Sequence, residues 1–409
     1  MARPSLFALC LLLLPVPALA LGGDWNGMLP TPSGGQVRLL ARFEGPDDAL
    51  KVRMESVDLG GTAAGGTGTL TDGRLLFSIP FIKGSYDGAL AADGKSITGT
   101  WTQNGRSAPL SFAPGAITAR NLHEAEPGDL TISTPTGMLG GTILRRGPVG
   151  AVIITGAGPA NRDGNSPVNG GRGTYRDIAQ GLAAQDITTL RFDKRGIGLS
   201  AAALAREEDQ RFQTLTDDVR QWARTLKQTL KSRCVWLVGH SEGGQIAVAA
   251  AQDNPDICGL ALLATPGHSF VASTRDYVER NLPADQKAAG FAALDALAAG
   301  RPVTDPPPLM AGNFRPAAMP YLRSKADWDT AAWLARLKIP VLILQGEADS
   351  NVAVTDARAL AGARPDATLV LLPGVNHSFR TAAEDKGSGP GPLAPGVTEA
   401  IANFLKAQP

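Results

Sequence analysis

The pattern of apolar and polar positions divides the chain into two parts. Residues 21–115 show no helical period, and short segments that suit β-strands alternate with Asp-Gly turn dipeptides at 72–73, 87–88 and 93–94. The strand-like segments read QVRLLARF, ALKVRMESVDL, RLLFSIPF, SITGTWT and APLSFAP. This pattern predicts a small all-β N-terminal domain, in the form of an antiparallel sheet or partial barrel.

The pattern changes after a polar stretch at residues 116–127, which we expect to be a linker. The hairpin-like segments DLTIST and GGTILRR come next, and apolar runs then alternate with helical periods. The apolar runs are AVIITG, ITTLRFD, VWLVG, GLALLA, VLILQ and TLVLLP, and helices are expected near 174–185, 215–230, 242–253, 353–361 and 396–407. Strands buried on both faces read as continuous apolar runs. Residues 128–409 are therefore predicted to form an α/β domain, with a mostly parallel sheet covered on both sides.

A long insertion interrupts this alternation at about residues 265–338. Its pattern is partly helical, near 276–299 and 326–336. In sheets of this type, ligands bind at the carboxyl ends of the strands. The strand-to-helix turns are therefore the place to search for chemistry, and we expect the helical insertion to form a cap over them.

The first twenty residues have the pattern of an export signal. Arg3 supplies a positive charge, residues 6–14 form an apolar core, and the small-x-small cleavage pattern lies at 18–20. The apolar run is too short to span a bilayer, and Cys10 lies inside it rather than at a lipid-attachment position. We therefore expect removal of residues 1–20 and an exported protein, periplasmic or secreted, without an integral membrane anchor.

Charge and composition narrow the range of partners. The 409 residues include 39 Lys and Arg against 38 Asp and Glu, a formal net charge of +1, with no basic cluster. Neither nucleic acid nor an anionic membrane surface is therefore expected as a partner. Apolar residues make up 43% of the chain, which is enough for a sizeable core. No metal-ligand spacing is apparent in the sequence, so we expect no metal and no cofactor, and the oligomeric state stays open.

Removal of the export signal would leave two cysteines. Cys234 and Cys258 each lie at the start of an apolar run, CVWLVG and CGLALLA. If these runs are neighbouring parallel strands, the two cysteines begin them at the same edge of the sheet. A disulfide is then geometrically feasible in an oxidising compartment. Two separate buried thiols are the alternative.

The segment WLVGHSEGGQ at residues 236–245 carries the clearest chemical signal. Ser241 lies between Gly239 and Gly243 in the pattern G-x-S-x-G, with an apolar strand before it and a helix-compatible stretch after it. The glycines permit a turn too tight for Cβ atoms, and the N-terminus of the following helix favours negative charge. Because a serine hydroxyl is a poor nucleophile alone, Ser241 predicts a base and an acid elsewhere in the chain.

Four histidines can supply the base. His123 lies in the linker, and His240, next to Ser241, is interpreted as a packing residue whose side chain points away from the serine. His268 follows the strand GLALLA, and His377 follows the last strand in LPGVNHSF. The elbow arrangement has serine, acid and histidine in that chain order. This order selects His377 and leaves His268 as its rival.

The acid is expected at a strand end between Ser241 and His377. The segment VLILQGEAD offers Asp349, with Glu347 as the substitute. Its role would be to orient the imidazole and to stabilise the imidazolium. The alternative for Asp349 is to cap the helix that follows, which is a common use of aspartate.

Two backbone N–H groups are expected to form an oxyanion hole. One belongs to the residue after the nucleophile, Glu242, and the other to the loop after an early strand. The loop in IITGAGPANRDG fits that position, and Ala157 is the predicted donor. A glycine-rich loop could instead hold a dinucleotide phosphate. However, GAGPAN lacks the third glycine of that fingerprint, and Pro159 interrupts it.

Together these residues resemble the α/β-hydrolase fold family over about residues 128–409. The combination looks like secreted bacterial esterase-like serine hydrolases with a β-rich N-terminal extension. Three further stretches carry the resemblance: GAGPANRDGN at the oxyanion loop, LRFDKRGIGLS, and GEADSNV. The resemblance implies that Asp193 and Arg195 are structural residues that hold the turn after their strand. Asn161 stands where relatives are expected to have Asp.

The favoured hypothesis is a serine esterase that cleaves small-molecule carboxylic esters through an acyl-enzyme, with Ser241, His377 and Asp349 as its triad. The family that the chain resembles also includes peptidases, thioesterases and lactonases, and a fold does not choose between them. A serine aminopeptidase or oligopeptidase with the same triad is therefore one alternative. A non-catalytic protein that binds a cell wall or sugar through its β-domain is the other, and the candidate triad counts against it.

Overall fold

The structure, a computed structural model, describes residues 21–30, 36–56, 62–80, 84–103, 105–115, 126–158, 160–166, 170–171, 173–381 and 391–408. The predicted export signal and most of the predicted linker, with His123, lie outside the described residues. Within these described ranges, no helix combines the length and the apolar composition that crossing a membrane requires.

The first eight strands form a closed antiparallel barrel. They are β1 (Gly23–Pro30), β2 (Gln36–Glu44), β3 (Leu50–Ser56), β4 (Thr62–Thr71), β5 (Arg74–Ile79), β6 (Gly84–Leu90), β7 (Ile97–Gln103) and β8 (Arg106–Pro114). Each strand pairs with the next, and β1 also pairs with β8, where Trp25 lies opposite Pro114. The all-β prediction for this region is therefore correct. The sheet closes because β1 has a partner along both of its edges.

Side chains of the barrel alternate between its inside and its outside. In β5, Leu75, Phe77 and Ile79 are buried, and the residues between them are exposed. The ring of Phe77 stacks on that of Tyr86 with centroids 5.0 Å apart, and the Tyr86 hydroxyl donates to the carbonyl of Leu110 at 2.9 Å. The barrel therefore encloses a packed core with many aromatic residues.

A second, eight-stranded sheet follows. The remaining strands are β9 (Asp129–Thr134), β10 (Gly137–Leu144), β11 (Val149–Ile154), β12 (Asn165–Ser166), β13 (Gly170–Gly171), β14 (Ile187–Phe192), β15 (Val235–His240), β16 (Ile257–Leu263), β17 (Val341–Gly346) and β18 (Thr368–Leu372). Strands β12 and β13 pair only with each other, and the sheet order is β18-β17-β16-β15-β11-β14-β10-β9. Strand β10 is antiparallel to β9 and β14, and the other neighbours are parallel. Strands β14, β15 and β17 are buried at every position, so the predicted doubly covered, mostly parallel sheet is confirmed.

Helices cover both faces of this sheet. They are α1 (Thr174–Ala183), α2 (Phe212–Leu230), α3 (Glu242–Ala251), α4 (Phe270–Asn281), α5 (Ala284–Ala298), α6 (Pro308–Ala311), α7 (Met319–Lys325), α8 (Thr330–Leu334), α9 (Val354–Ala363) and α10 (Val397–Ala407). Helices α1 and α10 pack on one face, through Ile178 and Ile401 among others. Helices α2, α3 and α9 pack on the other face, where the side chain of Trp222 is fully buried.

Helices α4 to α8 lie within the predicted insertion, between β16 and β17. The helix expected near 276–299 is divided into α4 and α5 at Leu282 and Pro283, which both have extended backbone. The division has a steric cause, because the residue before a proline avoids the helical region. The insertion has a core of its own, which includes Val278 and Phe314.

The sheet carries a disulfide at the amino ends of two neighbouring strands. Cys234 directly precedes β15, Cys258 is the second residue of β16, and Val235 lies opposite Ile257 in this parallel pair. The two sulfur atoms are bonded, and the Cα atoms are 5.2 Å apart. Of the two alternatives for these cysteines, the disulfide is therefore correct.

We expect loss of this disulfide to lower the free energy of unfolding by about 3 kcal/mol. The cysteines are 24 residues apart, and a cross-link of that span reduces the conformational entropy of the unfolded chain. Urea midpoints of the wild type and of Cys234→Ala/Cys258→Ala measure the difference. Dithiothreitol should lower the wild-type midpoint and leave that of the double variant unchanged. A wild-type midpoint insensitive to reductant would contradict this expectation.

Candidate active site

Ser241 occupies a strained turn between β15 and α3. Its backbone has φ 54° and ψ −123°, a conformation that favours glycine over residues with a Cβ. A Cβ at Gly239 would lie 2.4 Å from the carbonyl oxygen of Gly243, and one at Gly243 would lie 2.3 Å from that of Ile154. Both glycines of the G-x-S-x-G pattern are therefore required by close backbone packing. The turn presents the serine at the carboxyl end of a buried strand.

Asp349 and His377 lie in the loops after β17 and β18, and their side chains are hydrogen-bonded. The distance from His377 Nδ1 to Asp349 Oδ2 is 2.8 Å. The Asp349 side chain is fully buried, whereas that of His377 is 20% exposed. Asp349 Oδ1 accepts from the backbone N–H groups of Asn351 at 2.8 Å and Val352 at 2.9 Å. Both carboxylate oxygens are thus held, and one of them faces the imidazole.

These hydrogen bonds also determine the charge of the carboxyl group. Burial alone would raise the pKa of Asp349, but the hydrogen bonds from His377 and from the two backbone N–H groups outweigh burial and lower the pKa. Asp349 is therefore ionised at neutral pH. A carboxylate at Nδ1 places the proton of the neutral imidazole on Nδ1 and leaves Nε2 free to accept one.

The alternative residues are placed differently. Glu347, the substitute acid, is exposed, and His268, the rival base, is exposed in the loop after β16. The capping interpretation of Asp349 does not describe the loop either, because Ala353 is the N-cap residue of α9. The loops thus bring together Asp349 and His377 and leave the two alternatives in solvent.

The loop after β11 reaches the turn that carries Ser241. A Cβ built on Gly156 would lie 3.2 Å from the Cβ of Ser241 and 3.2 Å from His240 Nδ1. The predicted donor Ala157 comes next and is exposed, and its N–H has no hydrogen-bond acceptor among the described residues. The other predicted donor, Glu242, is the first residue of α3, where N–H groups have no partner within the helix. Both N–H groups are therefore available to a ligand beside the serine.

His240 connects the serine turn with two other loops. The Gly156 N–H donates to the Tyr175 hydroxyl at 2.8 Å, and this hydroxyl lies 3.0 Å from His240 Nδ1. His240 Nε2 lies 2.8 Å from the carbonyl oxygen of His377. Because a carbonyl only accepts, Nε2 carries the proton and Tyr175 donates to Nδ1. The interpretation of His240 as a packing residue is therefore incomplete, since it joins the oxyanion loop to the histidine loop.

The groups in this hydrogen-bonded chain are neutral at neutral pH. Burial lowers the pKa of His240 to about 3, and the nearby imidazole of His377 acts in the same direction. Burial also raises the pKa of Tyr175 to about 12. His240 is therefore a structural connector, because so weak a base with both nitrogens engaged cannot take a proton from Ser241.

Next to the serine turn, Glu242, Lys325 and Lys194 form a buried cluster of charged side chains. The Glu242 carboxylate is paired with Lys325 of α7, and Lys194, in the turn after β14, donates to the carbonyl of Gly156 at 2.6 Å. Burial alone would raise the pKa of Glu242, but the charges of Lys325 and Lys194 outweigh it and lower the pKa to about 2. Burial lowers the pKa of Lys194, against the opposing charge of Glu242. Lys325 Nζ also lies 4.7 Å from the ring centre of Phe270.

Buried polar contacts hold the turn after β14 against the oxyanion loop. Asp193 accepts from the guanidinium of Arg162 at 2.7 Å and from its backbone N–H at 2.8 Å. Arg195 instead ties this turn to α2, where it donates to both carboxylate oxygens of Asp218 at 2.6 Å. Asn161 Oδ1 accepts from two backbone N–H groups of its own loop, each at 3.0 Å. These contacts fit the structural roles that the resemblance implies for Asp193 and Arg195.

Three residues of this site are missing from the sequence-based predictions. Lys194 stands in LRFDKRGIGLS, and a lysine two residues after a buried strand was the available signal. Tyr175 lies 65 residues from its partner His240, and Lys325 lies 83 residues from Glu242. No local pattern indicates contacts of that separation.

The site consists of a hydroxyl, imidazoles, carboxylates, ammonium groups and backbone N–H groups. Among the described residues, no three or more His, Cys, Asp or Glu side chains are arranged to share a metal ion.

Comparisons with known proteins show which proteins this chain is similar to. A family model described as "Serine aminopeptidase, S33" matches residues 169–277, which include Ser241. A 2-(acetamidomethylene)succinate hydrolase of Mesorhizobium japonicum is 27% identical over 237 residues, which cover 54% of this chain and 79% of that enzyme. Esterase EstD of Thermotoga maritima is 25% identical over 279 residues, which cover 66% of this chain and 60% of the esterase. Among solved structures, a thermophilic esterase from Thermogutta terrifontis aligns with 68% of this chain and 98% of its own, at 19% identity and a TM-score of 0.45.

The family match and the relatives support a serine hydrolase. More specifically, they support an α/β-hydrolase, esterase-like family for this chain. The matched model is named for an aminopeptidase and one relative is an esterase, so these matches leave open which bond is cleaved.

Proposed function

We propose that this chain hydrolyses carboxylic esters of small molecules, with Ser241 as nucleophile, His377 as base and Asp349 as the acid that orients the base. The observation that carries the proposal is the 2.8 Å hydrogen bond between His377 Nδ1 and a buried carboxylate. Both residues lie in loops at the edge of the sheet where β15 delivers Ser241 in its strained turn. A neutral imidazole with a free Nε2 at that edge can accept the serine proton.

The reaction takes place in two halves. Ser241 Oγ attacks the carbonyl carbon while its proton moves to His377 Nε2, and the N–H groups of Ala157 and Glu242 bind the resulting oxyanion. The carbon–oxygen bond to the alcohol then breaks, and the alcohol leaves with the proton from His377. Water attacks the acyl-enzyme with His377 again as base, and the carboxylic acid is released from Ser241. Asp349 stabilises the imidazolium in both halves.

A serine aminopeptidase is the second candidate, because the matched family model carries that description. Such an enzyme has to bind the ammonium group of its substrate, and a carboxylate is the usual partner for an ammonium group. Glu242, the acidic residue next to Ser241, is already paired with Lys325. This pairing favours ester hydrolysis. A non-catalytic binding protein is not favoured, since both relatives named above are hydrolytic enzymes by name.

The proposal includes a cap and an exported location. Helices α7 and α8 of the insertion supply Lys325 to Glu242 and Thr330 to Gln245, the latter at 3.0 Å, and these contacts support a cap that closes over α3. The disulfide supports export, because such bonds persist in oxidising compartments.

The test compares p-nitrophenyl butyrate with alanine p-nitroanilide, each as the enzymatic rate divided by the rate in buffer. We expect turnover of the ester and no measurable turnover of the anilide, with Ser241→Ala as the control for background. Preferential cleavage of the anilide, lost when its amino group is acetylated, would establish the aminopeptidase instead. Turnover of neither, without fluorophosphonate labelling of Ser241, would indicate a non-catalytic protein.

A further inference from the structure

Two N–H groups are proposed to bind the oxyanion, and a buried lysine is bonded close to each of them. Lys194 Nζ donates to the carbonyl oxygen of Gly156 at 2.6 Å, and that carbonyl belongs to the same peptide group as the N–H of Ala157. Lys325 is paired with the carboxylate of Glu242, the residue that carries the second N–H. The two lysines are only 8% and 5% exposed.

The peptide group between Gly156 and Ala157 is therefore held from its carbonyl side. In a planar trans peptide the C=O and the N–H point in opposite directions. Because the C=O is turned toward buried Lys194, the N–H of Ala157 is directed away from it, on the exposed side of the loop. The N–H of Gly156 is held separately by the Tyr175 hydroxyl at 2.8 Å, so both peptide groups that flank the Gly156 Cα are fixed.

The position of this peptide group relative to the serine is also fixed. A Cβ built on Gly156 would lie 3.2 Å from the Cβ of Ser241, so the loop and the serine turn are in direct contact. The next N–H along the loop is that of Ala157. A carbonyl carbon attacked by Ser241 would therefore have its oxygen beside this donor, provided that the peptide keeps its orientation.

The charges of Lys325 and Glu242 also affect how well the proposed hole can stabilise an oxyanion. The ammonium group of Lys325 offsets the carboxylate of Glu242, whose N–H is one of the two proposed donors. Without Lys325, the carboxylate would oppose negative charge that develops next to its own N–H. A cation at the carbonyl end of a peptide also polarises it and makes its N–H a stronger donor.

We propose that Lys194 is a positioning residue for the oxyanion hole, which holds the Gly156–Ala157 peptide with its N–H directed at the substrate oxygen. The inference rests on the proposed serine-hydrolase function and is independent of which acyl compound is cleaved. Lys194 acts through the peptide group and does not touch the substrate. Because the oxyanion exists only after attack, loss of this positioning should lower kcat and leave KM nearly unchanged.

The test is Lys194→Met, which keeps an unbranched side chain and removes the donor. With p-nitrophenyl butyrate, we expect kcat to fall about 10- to 100-fold, less than for loss of a direct oxyanion donor. An alkylboronic acid adds to the serine oxygen as a tetrahedral anion and so occupies the same hole. Its affinity should therefore fall by the same factor as kcat, a parallel that a merely structural role of Lys194 would not produce.

Arg195→Met is the matched control. Arg195 is the next residue of the same turn and is buried against Asp218, but its hydrogen bonds go to groups other than Gly156. This variant should have a lower urea midpoint, while its folded fraction keeps the wild-type kcat and boronate affinity. Wild-type kcat in Lys194→Met, or equal losses in both variants, would overturn the proposal. If Lys194→Met does not fold, Lys194→Gln, whose shorter side chain cannot reach the carbonyl in the same way, is judged by the same comparison.

Boronate binding separates this inference from the proposed ester hydrolysis. A wild type that binds the boronate but cleaves no ester would refute the ester proposal alone, and the boronate affinity of Lys194→Met would still decide the role of Lys194. A wild type that neither binds the boronate nor cleaves the ester would refute both.

Discussion

Ser241→Ala is expected to abolish ester hydrolysis, with a loss on the order of 10⁶-fold in kcat. Alanine lacks the oxygen that attacks the acyl carbon, but it keeps the Cβ that the turn already accommodates at φ 54°. The circular dichroism spectrum and the urea midpoint should therefore match those of the wild type. The measurement is kcat with p-nitrophenyl butyrate, corrected for hydrolysis in buffer.

Two further results distinguish Ser241 from the other serines. A fluorophosphonate probe should label Ser241 and no other serine of the wild type. Ser378→Ala is the matched control, since it removes a hydroxyl next to His377 in the neighbouring loop and should keep most of the activity. Full activity of Ser241→Ala with an unchanged spectrum would mean that another nucleophile acts.

Asp349→Asn is expected to lower kcat on the order of 10⁴-fold, the loss seen for this change in a serine protease. Asp349 Oδ1 accepts from the N–H groups of Asn351 and Val352, so the amide oxygen would take that position and the NH₂ would face His377 Nδ1. An NH₂ group donates, and it therefore forces the imidazole proton onto Nε2. The base would then be in the wrong tautomer to accept the serine proton.

Glu347→Gln is the matched control for this change. It makes the same carboxylate-to-amide replacement two residues earlier, at an exposed position, and should cost far less activity.

His377→Ala should be about as damaging as Ser241→Ala, because residues that act as one unit do not give additive losses. Loss of activity in His268→Ala but not in His377→Ala would make the assignment of the base wrong.

The features that could be predicted from the sequence depend on local pattern and on one rule of topology. Strands β15 and β17 read as continuous apolar runs because both of their faces are buried. Parallel strands end at a common edge, which is why the loops with Asp349 and His377 could be expected at one site. The same rule, applied to the amino ends of the strands, allowed the pairing of Cys234 with Cys258.

The features that could not be predicted depend on contacts between distant segments. Closure of the barrel requires its first strand to meet its last, and Asn26 contacts Gly115 across 89 residues. The sequence suggested that His240 is a packing residue beside Ser241, but its two partners lie 65 and 137 residues away along the chain. The sequence shows that residue 194 is a lysine. It does not show that the acceptor of this lysine is a backbone carbonyl 38 residues earlier. A single sequence gives the type of a residue but not its partner.

The backbone of Ser241 limits how stable this protein can be. A residue with a Cβ at φ 54° and ψ −123° costs about 1–3 kcal/mol, whereas glycine accepts this conformation freely. Glycine also lowers the free energy of unfolding by about 0.5–1 kcal/mol, because it gives the unfolded chain more conformational freedom. This entropic cost is smaller than the strain that glycine would relieve. Ser241→Gly should therefore raise the free energy of unfolding while removing the hydroxyl that we propose as the nucleophile. Directly after its central buried strand, the fold thus keeps a residue that lowers its stability, which the proposed catalytic role of Ser241 would explain.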